Sequence, residues 1–146
     1  MSNDKIQDAA NNQEPGSLHN NKNLRSVLLI EDDAINASVI QKFIRKDYKV
    51  DMAYSSVKSI EMAAENSYDI ILLDINLGRG MNGIDVLKEI KKTVKNSNTP
   101  VIASTAYTMK GDKEKLLQAG FDDYISKPYT MSEILIKIKQ VIDKHK

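Results

Sequence analysis

From Arg25 onward the chain alternates short runs rich in aliphatic and β-branched residues with segments of helical period. That alternation is the signature of a parallel sheet built from βα repeats. The spacing predicts strands over Ser26–Ile30, Val50–Ala53, Ile70–Asp74, Pro100–Thr105 and Asp123–Ser126. Helices are expected over Ala34–Arg45, Val57–Glu65, Ile84–Val94 and a short Asp112–Ala119 stopped by Gly120. In the first of these, Ile35, Val39, Ile40, Phe43 and Ile44 form the expected inward face. The last helix opens on Thr130-Met131-Ser132-Glu133, a capping-box pattern, with Ile134, Ile138, Val141 and Ile142 inward.

At 146 residues the chain suits one domain with a real core. Met1 to Leu24 differs from the rest, Asn-rich and almost without periodic apolar residues, and is expected to be a disordered tail before a domain spanning 25–146. The formal charge is +1 and aromatics are only 5%, so nothing asks for a nucleic-acid surface. Lysines in KEIKKTVK and KHK fit the last turns of helices, where cations complement the macrodipole. Cysteine is absent, which removes disulfide frameworks and thiolate metal sites. No run reaches about 18 apolar residues and no signal peptide is evident, so the expectation is a cytoplasmic protein without a membrane partner.

The strand ends carry the chemistry. Glu31-Asp32 follow SVLLI, Asp74 closes DIILLD, Thr105 closes VIAST, and Lys127-Pro128 follow DDYIS. In an open α/β sheet the carboxyl ends of the strands share one edge, where ligands bind. If the first and third strands are neighbours, as in the doubly wound order 2-1-3-4-5, then Glu31, Asp32 and Asp74 crowd together. Carboxylates that close raise one another's pKa unless a cation neutralises them, and an all-oxygen cluster selects a hard ion, Mg2+ best of all. The plainer role for an acid after a strand is a helix N-cap, which Asp33 can fill. Asp74 is the candidate nucleophile toward phosphorus, Lys127 a mobile cation and Thr105 a hydroxyl for a phosphoryl oxygen. Backbone N–H groups near Asn76, Leu77 and Ala106 are further donors.

These residues resemble a known family, the receiver domains of bacterial two-component response regulators. The resemblance runs from Ser26 to the C-terminus through LLIEDD, ILLDIN, VIASTAYTMKGD and AGFDDYISKPY, and it looks especially like receivers of hybrid histidine kinases. It implies a single flavodoxin-like (βα)5 domain and a Mg2+ cofactor. By resemblance Asp74 is the phosphoacceptor, Asp32 a direct metal ligand, Glu31 a ligand acting through water, and the Asn76 carbonyl a third ligand. Thr105 and Lys127 bind phosphate, Thr105 and Tyr124 form a switch pair, and the Lys127-Pro128 bond is cis. Asn76, Ala106 and Tyr107 would tune the lifetime of the phosphorylated state.

The implied protein is a stand-alone signalling protein rather than an enzyme acting on an external substrate. It would accept phosphate from a histidine kinase or histidine phosphotransfer protein, then engage an unknown downstream protein or pass the phosphate along a phosphorelay. Neither His19 nor His145 lies where a phosphodonor histidine is expected. The loop INLGRGMNG departs from the pattern, since it lacks the proline many receivers carry, is about one residue longer and holds three glycines. Two alternatives stand beside this reading. A pseudo-receiver would serve only as an interaction module. A dehalogenase-type phosphatase would need a second acid where Asn76 stands.

Overall fold

In the computed structural model, which describes residues 23–78, 81–106 and 111–145, each β-rich run becomes a parallel strand. These are β1 (Arg25–Ile30), β2 (Tyr48–Ala53), β3 (Ile70–Asp74), β4 (Val101–Thr105) and β5 (Asp123–Ser126). The helices are α1 (Ala34–Ile44), α2 (Ser56–Glu65), α3 (Gly83–Lys91), α4 (Asp112–Ala119) and α5 (Met131–His145). The strands lie in the order β2-β1-β3-β4-β5, the expected doubly wound order with its reversal between β1 and β3. Residues 1–22, the bulk of the expected tail, lie outside the described residues, as does Tyr107.

The two-residue period of the strands divides the core. Val27 and Leu29 of β1, with Ile70 and Leu72 of β3, pack under Ala37, Ile40 and Ile44 of α1 and Ile134, Ile138, Val141 and Ile142 of α5. Leu28, Ile30, Ile71 and Leu73 face the other way, against Ala63 of α2, Val86, Leu87 and Ile90 of α3, and Leu116 of α4. Every residue of β3 and β4 is buried, the pattern of central parallel strands covered on both faces. The acids and Thr105 at their ends are therefore held by backbone that cannot shift without disturbing the core.

Local signals set most boundaries. Asp33 caps α1 by accepting from the Ile35 and Asn36 N–H groups at 2.9 and 3.1 Å. The capping box of α5 closes both ways, with Thr130 N–H donating to Glu133 at 2.8 Å and Glu133 N–H to Thr130 Oγ1 at 3.1 Å. Gly120 ends α4 at φ +114°. Strand β2 begins two residues earlier than expected because Tyr48 and Lys49 pair with Arg25 and Ser26. Ser55 caps α2, so that helix begins at Ser56, one residue before the expected start. Strand β4 begins after Pro100, which has no N–H to give a ladder.

Two expectations need correction. Ile35 and Val39 do not face the core: they are 77% and 44% exposed, and Ala37 takes the inward position with Ile40 and Ile44. Helix α3 stops at Lys91 rather than Val94, which is left 95% exposed. The cause is Asn96, fully buried, whose side chain binds two neighbouring segments. Its amide donates to the Ala63 and Asn66 carbonyls, and its Oδ1 accepts from Tyr68 N–H and Thr99 Oγ1. To bring Asn96 there the chain must leave the helix.

Cutting this side chain away strands the buried Tyr68 N–H and takes a donor from the Ala63 and Asn66 carbonyls. We expect Asn96→Ala to cost about 3 kcal/mol of folding free energy in urea denaturation. An unchanged midpoint would mean that the clip is replaceable by water.

Candidate functional site

Parallel pairing aligns the ends of β1, β3, β4 and β5 along one edge, where Glu31, Asp32, Asp74, Thr105 and Lys127 meet. Glu31 and Asp74 are 2% and 4% exposed, whereas Asp32 faces solvent. One carboxylate oxygen from each of Glu31, Asp32 and Asp74 lies within 4.8 Å of the others. Three hard oxygen donors at that spacing, two buried and one open, match what Mg2+ takes while keeping several waters. The donor set fits the ion.

Lys127 supplies the cation among them. Its ammonium lies 3.1 Å from Asp74 Oδ2 and 3.3 Å from Glu31 Oε1. The Lys127 N–H donates to the Thr105 carbonyl at 2.7 Å, which fixes the lysine's start beside β4, and the following Lys127–Pro128 peptide is cis. One ammonium does not balance three carboxylates. The Glu31 carboxyl is pushed up to about 7, first by burial and then by Asp74, with Lys127 pulling the other way. Burial would lower the Lys127 ammonium, yet its hydrogen bond to Asp74 and the two carboxylates outweigh that and raise it.

Backbone holds the Asp74 carboxylate in place. Asn76 N–H donates to Asp74 Oδ1 at 3.0 Å, and Ile75 N–H bonds the Ser104 carbonyl at 2.9 Å. Asp33 N–H donates to Glu31 Oε2 at 3.2 Å. Leu77 is buried in the core, and Asn82 caps α3 by accepting from Asp85 N–H at 3.0 Å. Thr105 is buried. In the register of β4 and β5, Ala103 pairs with Tyr124 and Thr105 with Ser126, so Thr105 and Tyr124 are diagonal neighbours on one face of the sheet. Half-buried Tyr124 lies at the α4 side, 6.0 Å from Lys113 Nζ over its ring. Ala106, directly after β4, lines a groove beside the site.

That groove is not legible in the sequence. Asn36, Val39, Ile40 and Phe43 of α1 line one side, with Ala106, Lys127, Pro128 and Tyr129 opposite. Two glycines of the β3–α3 loop also matter more than their place in a variant loop suggests. Gly78 has φ +70°, and a Cβ there would stand 2.6 Å from Asp32 Oδ2. Gly83, at the start of α3, leaves no room for a Cβ over the backbone of Asp74 and Ile75. A positive-φ requirement is the signal that could have marked Gly78.

Known proteins share this fold. The family described as response regulator receiver domain matches residues 27–139. The polar-differentiation response regulator DivK of Brucella ovis is 34% identical over 119 residues, covering 81% of this chain and 96% of DivK. The receiver domain of sensor histidine kinase PA1611 from Pseudomonas aeruginosa, solved with a magnesium ion coordinated in its active-site cleft, is 31% identical with a TM-score of 0.74, covering 82% of this chain and 98% of that domain. A CheY-like receiver domain protein from Methanospirillum hungatei superimposes with a TM-score of 0.75 at 25% identity, covering 84% of this chain and 96% of that one. Among the described residues no helix is long and apolar enough to cross a membrane.

Proposed function

The chain belongs to the response regulator receiver domain family, and from that premise we propose that it accepts a phosphoryl group from a phosphohistidine onto Asp74 and signals through the change this causes. The observation that carries the reading is the meeting of three carboxylates within 4.8 Å with an ammonium 3.1 Å from Asp74. Fixed backbone and one mobile cation around a single carboxylate suit attack on phosphorus, in which charge on the phosphoryl oxygens must be neutralised as it develops.

In this reading an Asp74 carboxylate oxygen attacks the phosphorus of a protonated phosphohistidine. The P–O bond forms as the P–N bond breaks, its electron pair remaining with the departing neutral imidazole. Asp32, Asp74 and the Asn76 carbonyl would hold Mg2+, with Glu31 acting through water, and the ion would supply charge neutralisation at the phosphoryl oxygens. Lys127 exchanges its ion pair with Asp74 for one with a phosphoryl oxygen. Asn76 and Ala106 flank the acceptor and, with Tyr107, are assigned by family likeness to govern how long the acyl phosphate survives.

The phosphodonor is a histidine kinase or phosphotransfer protein. The apolar groove supports this, since Val39 and Phe43 with Pro128 and Tyr129 give a donor helix an apolar seat beside Asp74. A donor of that kind makes this a cytoplasmic signalling protein, with residues 1–24 as a tail outside the receiver. The test is acetyl phosphate with and without Mg2+, followed by intact-mass spectrometry. We expect one added phosphoryl group that depends on the metal; an unmodified mass with Mg2+ present rejects the reading.

Thr105 and Tyr124 are the switch in the same proposal. A hydroxyl drawn to the phosphoryl group leaves space into which the tyrosine ring turns, changing the surface made by α4, β5 and α5. Thr105→Ala should therefore keep phosphorylation and lose most of the rearrangement. Amide NMR on adding beryllofluoride reads this directly, and equal shift changes around Tyr124 in wild type and variant would remove Thr105 from the switch.

A further inference from the structure

The β3–α3 loop comes close to Asp32 at Gly78. At Gly78 the backbone has φ +70°, and a Cβ built there would lie 2.6 Å from Asp32 Oδ2. No real side chain tolerates that distance, so one of the two must move. What would move is the tip of Asp32, a solvent-facing carboxylate on a short flexible stem, rather than any part of the core. Gly83 differs, because there the nearest atoms are the Ile75 Cα at 2.7 Å and the Asp74 carbonyl oxygen at 3.0 Å, and those belong to the main chain of β3 and its loop. A side chain at Gly83 disturbs the fold, whereas one at Gly78 disturbs a carboxylate.

We propose that Gly78 is a positioning residue for Asp32: its bare Cα lets the loop close against the carboxylate while leaving it aimed at Glu31 and Asp74. The conformation also excludes proline at position 78, since proline is held near φ −65° and cannot adopt +70°. The inference rests on the proposed reading of Asp32 as a metal ligand and goes beyond it to the residue that sets the ligand's aim.

The structure holds its own control. Gly111 has φ +95°, and a Cβ added there would meet nothing within 4 Å, so Gly111→Ala carries left-handed backbone strain without touching the site. Gly78→Ala carries similar strain plus the collision with Asp32. Gly78→Asn adds a residue that accepts the left-handed region and yet has a Cβ, which keeps the test usable if the alanine variant folds poorly.

The experiment is titration of each full-length protein with Mg2+ alone, followed by amide NMR shifts, with melting temperature of the metal-free proteins recorded alongside. Both Gly78 variants should bind Mg2+ about tenfold or more weakly than wild type, the scale expected when a ligand's support is lost, while Gly111→Ala binds as wild type even if it melts lower. Wild-type affinity in both Gly78 variants overturns the inference, and so does equal weakening in Gly111→Ala. Failure of the wild-type protein to bind Mg2+ would instead reject the reading of Asp32 as a ligand.

Discussion

Asp74→Asn should abolish phosphoryl acceptance and at the same time make the metal-free protein more stable. The first effect follows because an amide is a poor nucleophile toward phosphorus and, among the described residues, no other carboxylate shares the position of Asp74 between Lys127 and the Asn76 N–H group. The second follows from charge. Glu31, Asp32 and Asp74 share a small volume with one ammonium, and removing one negative charge relieves repulsion while the near-isosteric amide keeps the packing. We expect about 1–2 kcal/mol in urea denaturation with chelator at pH 8, partly offset by the weaker bond to Lys127. A variant that is both unreactive and much less stable would indicate a structural aspartate.

The second large effect is the response to pH and Mg2+ together. Folding raises the Glu31 carboxyl from its ordinary 4.5 to about 7, so between those values the folded protein binds a proton that the unfolded chain does not. Its protonated form is the one folding favours. The contribution is therefore fully present below about 4.5 and is lost as pH rises through 7, making the metal-free protein less stable by about 3 kcal/mol on the alkaline side from this group alone. Mg2+ acts in the opposite sense, because it needs the carboxylates ionised; at 100 times its dissociation constant it would add about 2.7 kcal/mol. Thermal melts at pH 5.5 and pH 8, with Mg2+ or chelator, should show a much larger metal-induced rise at pH 8. An equal rise at both values would detach Glu31 from the cluster.

How far the sequence carries depends on whether a feature is local. Apolar runs ending in Asp74 and Thr105 mark the central strands to within a residue, because burial on both faces leaves little choice of composition. Caps at Asp33 and Thr130 are equally local. The acidic cluster is legible once strand order is assumed, since parallel strands bring their carboxyl ends together whatever the loops do. Family resemblance then supplies roles that spacing cannot.

What escapes is set by distant partners. Helical period marks an apolar stripe without saying what covers it, so Ile35 and Val39 look like core although Ala37 is the inward residue. The end of α3 is decided by Asn96, which reaches carbonyls about thirty residues away in sequence. The importance of Gly78 lies in the 2.6 Å that would separate an added Cβ from Asp32 Oδ2, far earlier in the chain, and nothing in the local sequence names that neighbour.

If Asp74 is the phosphoryl acceptor, peptide-resolved mass spectrometry finds the group on that residue. Protein treated with acetyl phosphate and Mg2+ would be reduced with borohydride, which converts an aspartyl phosphate to homoserine, and then digested. The expected result is homoserine at residue 74 and at no other aspartate. Conversion at Asp32 with residue 74 untouched, or phosphate recovered only on a serine, threonine or histidine, would contradict it.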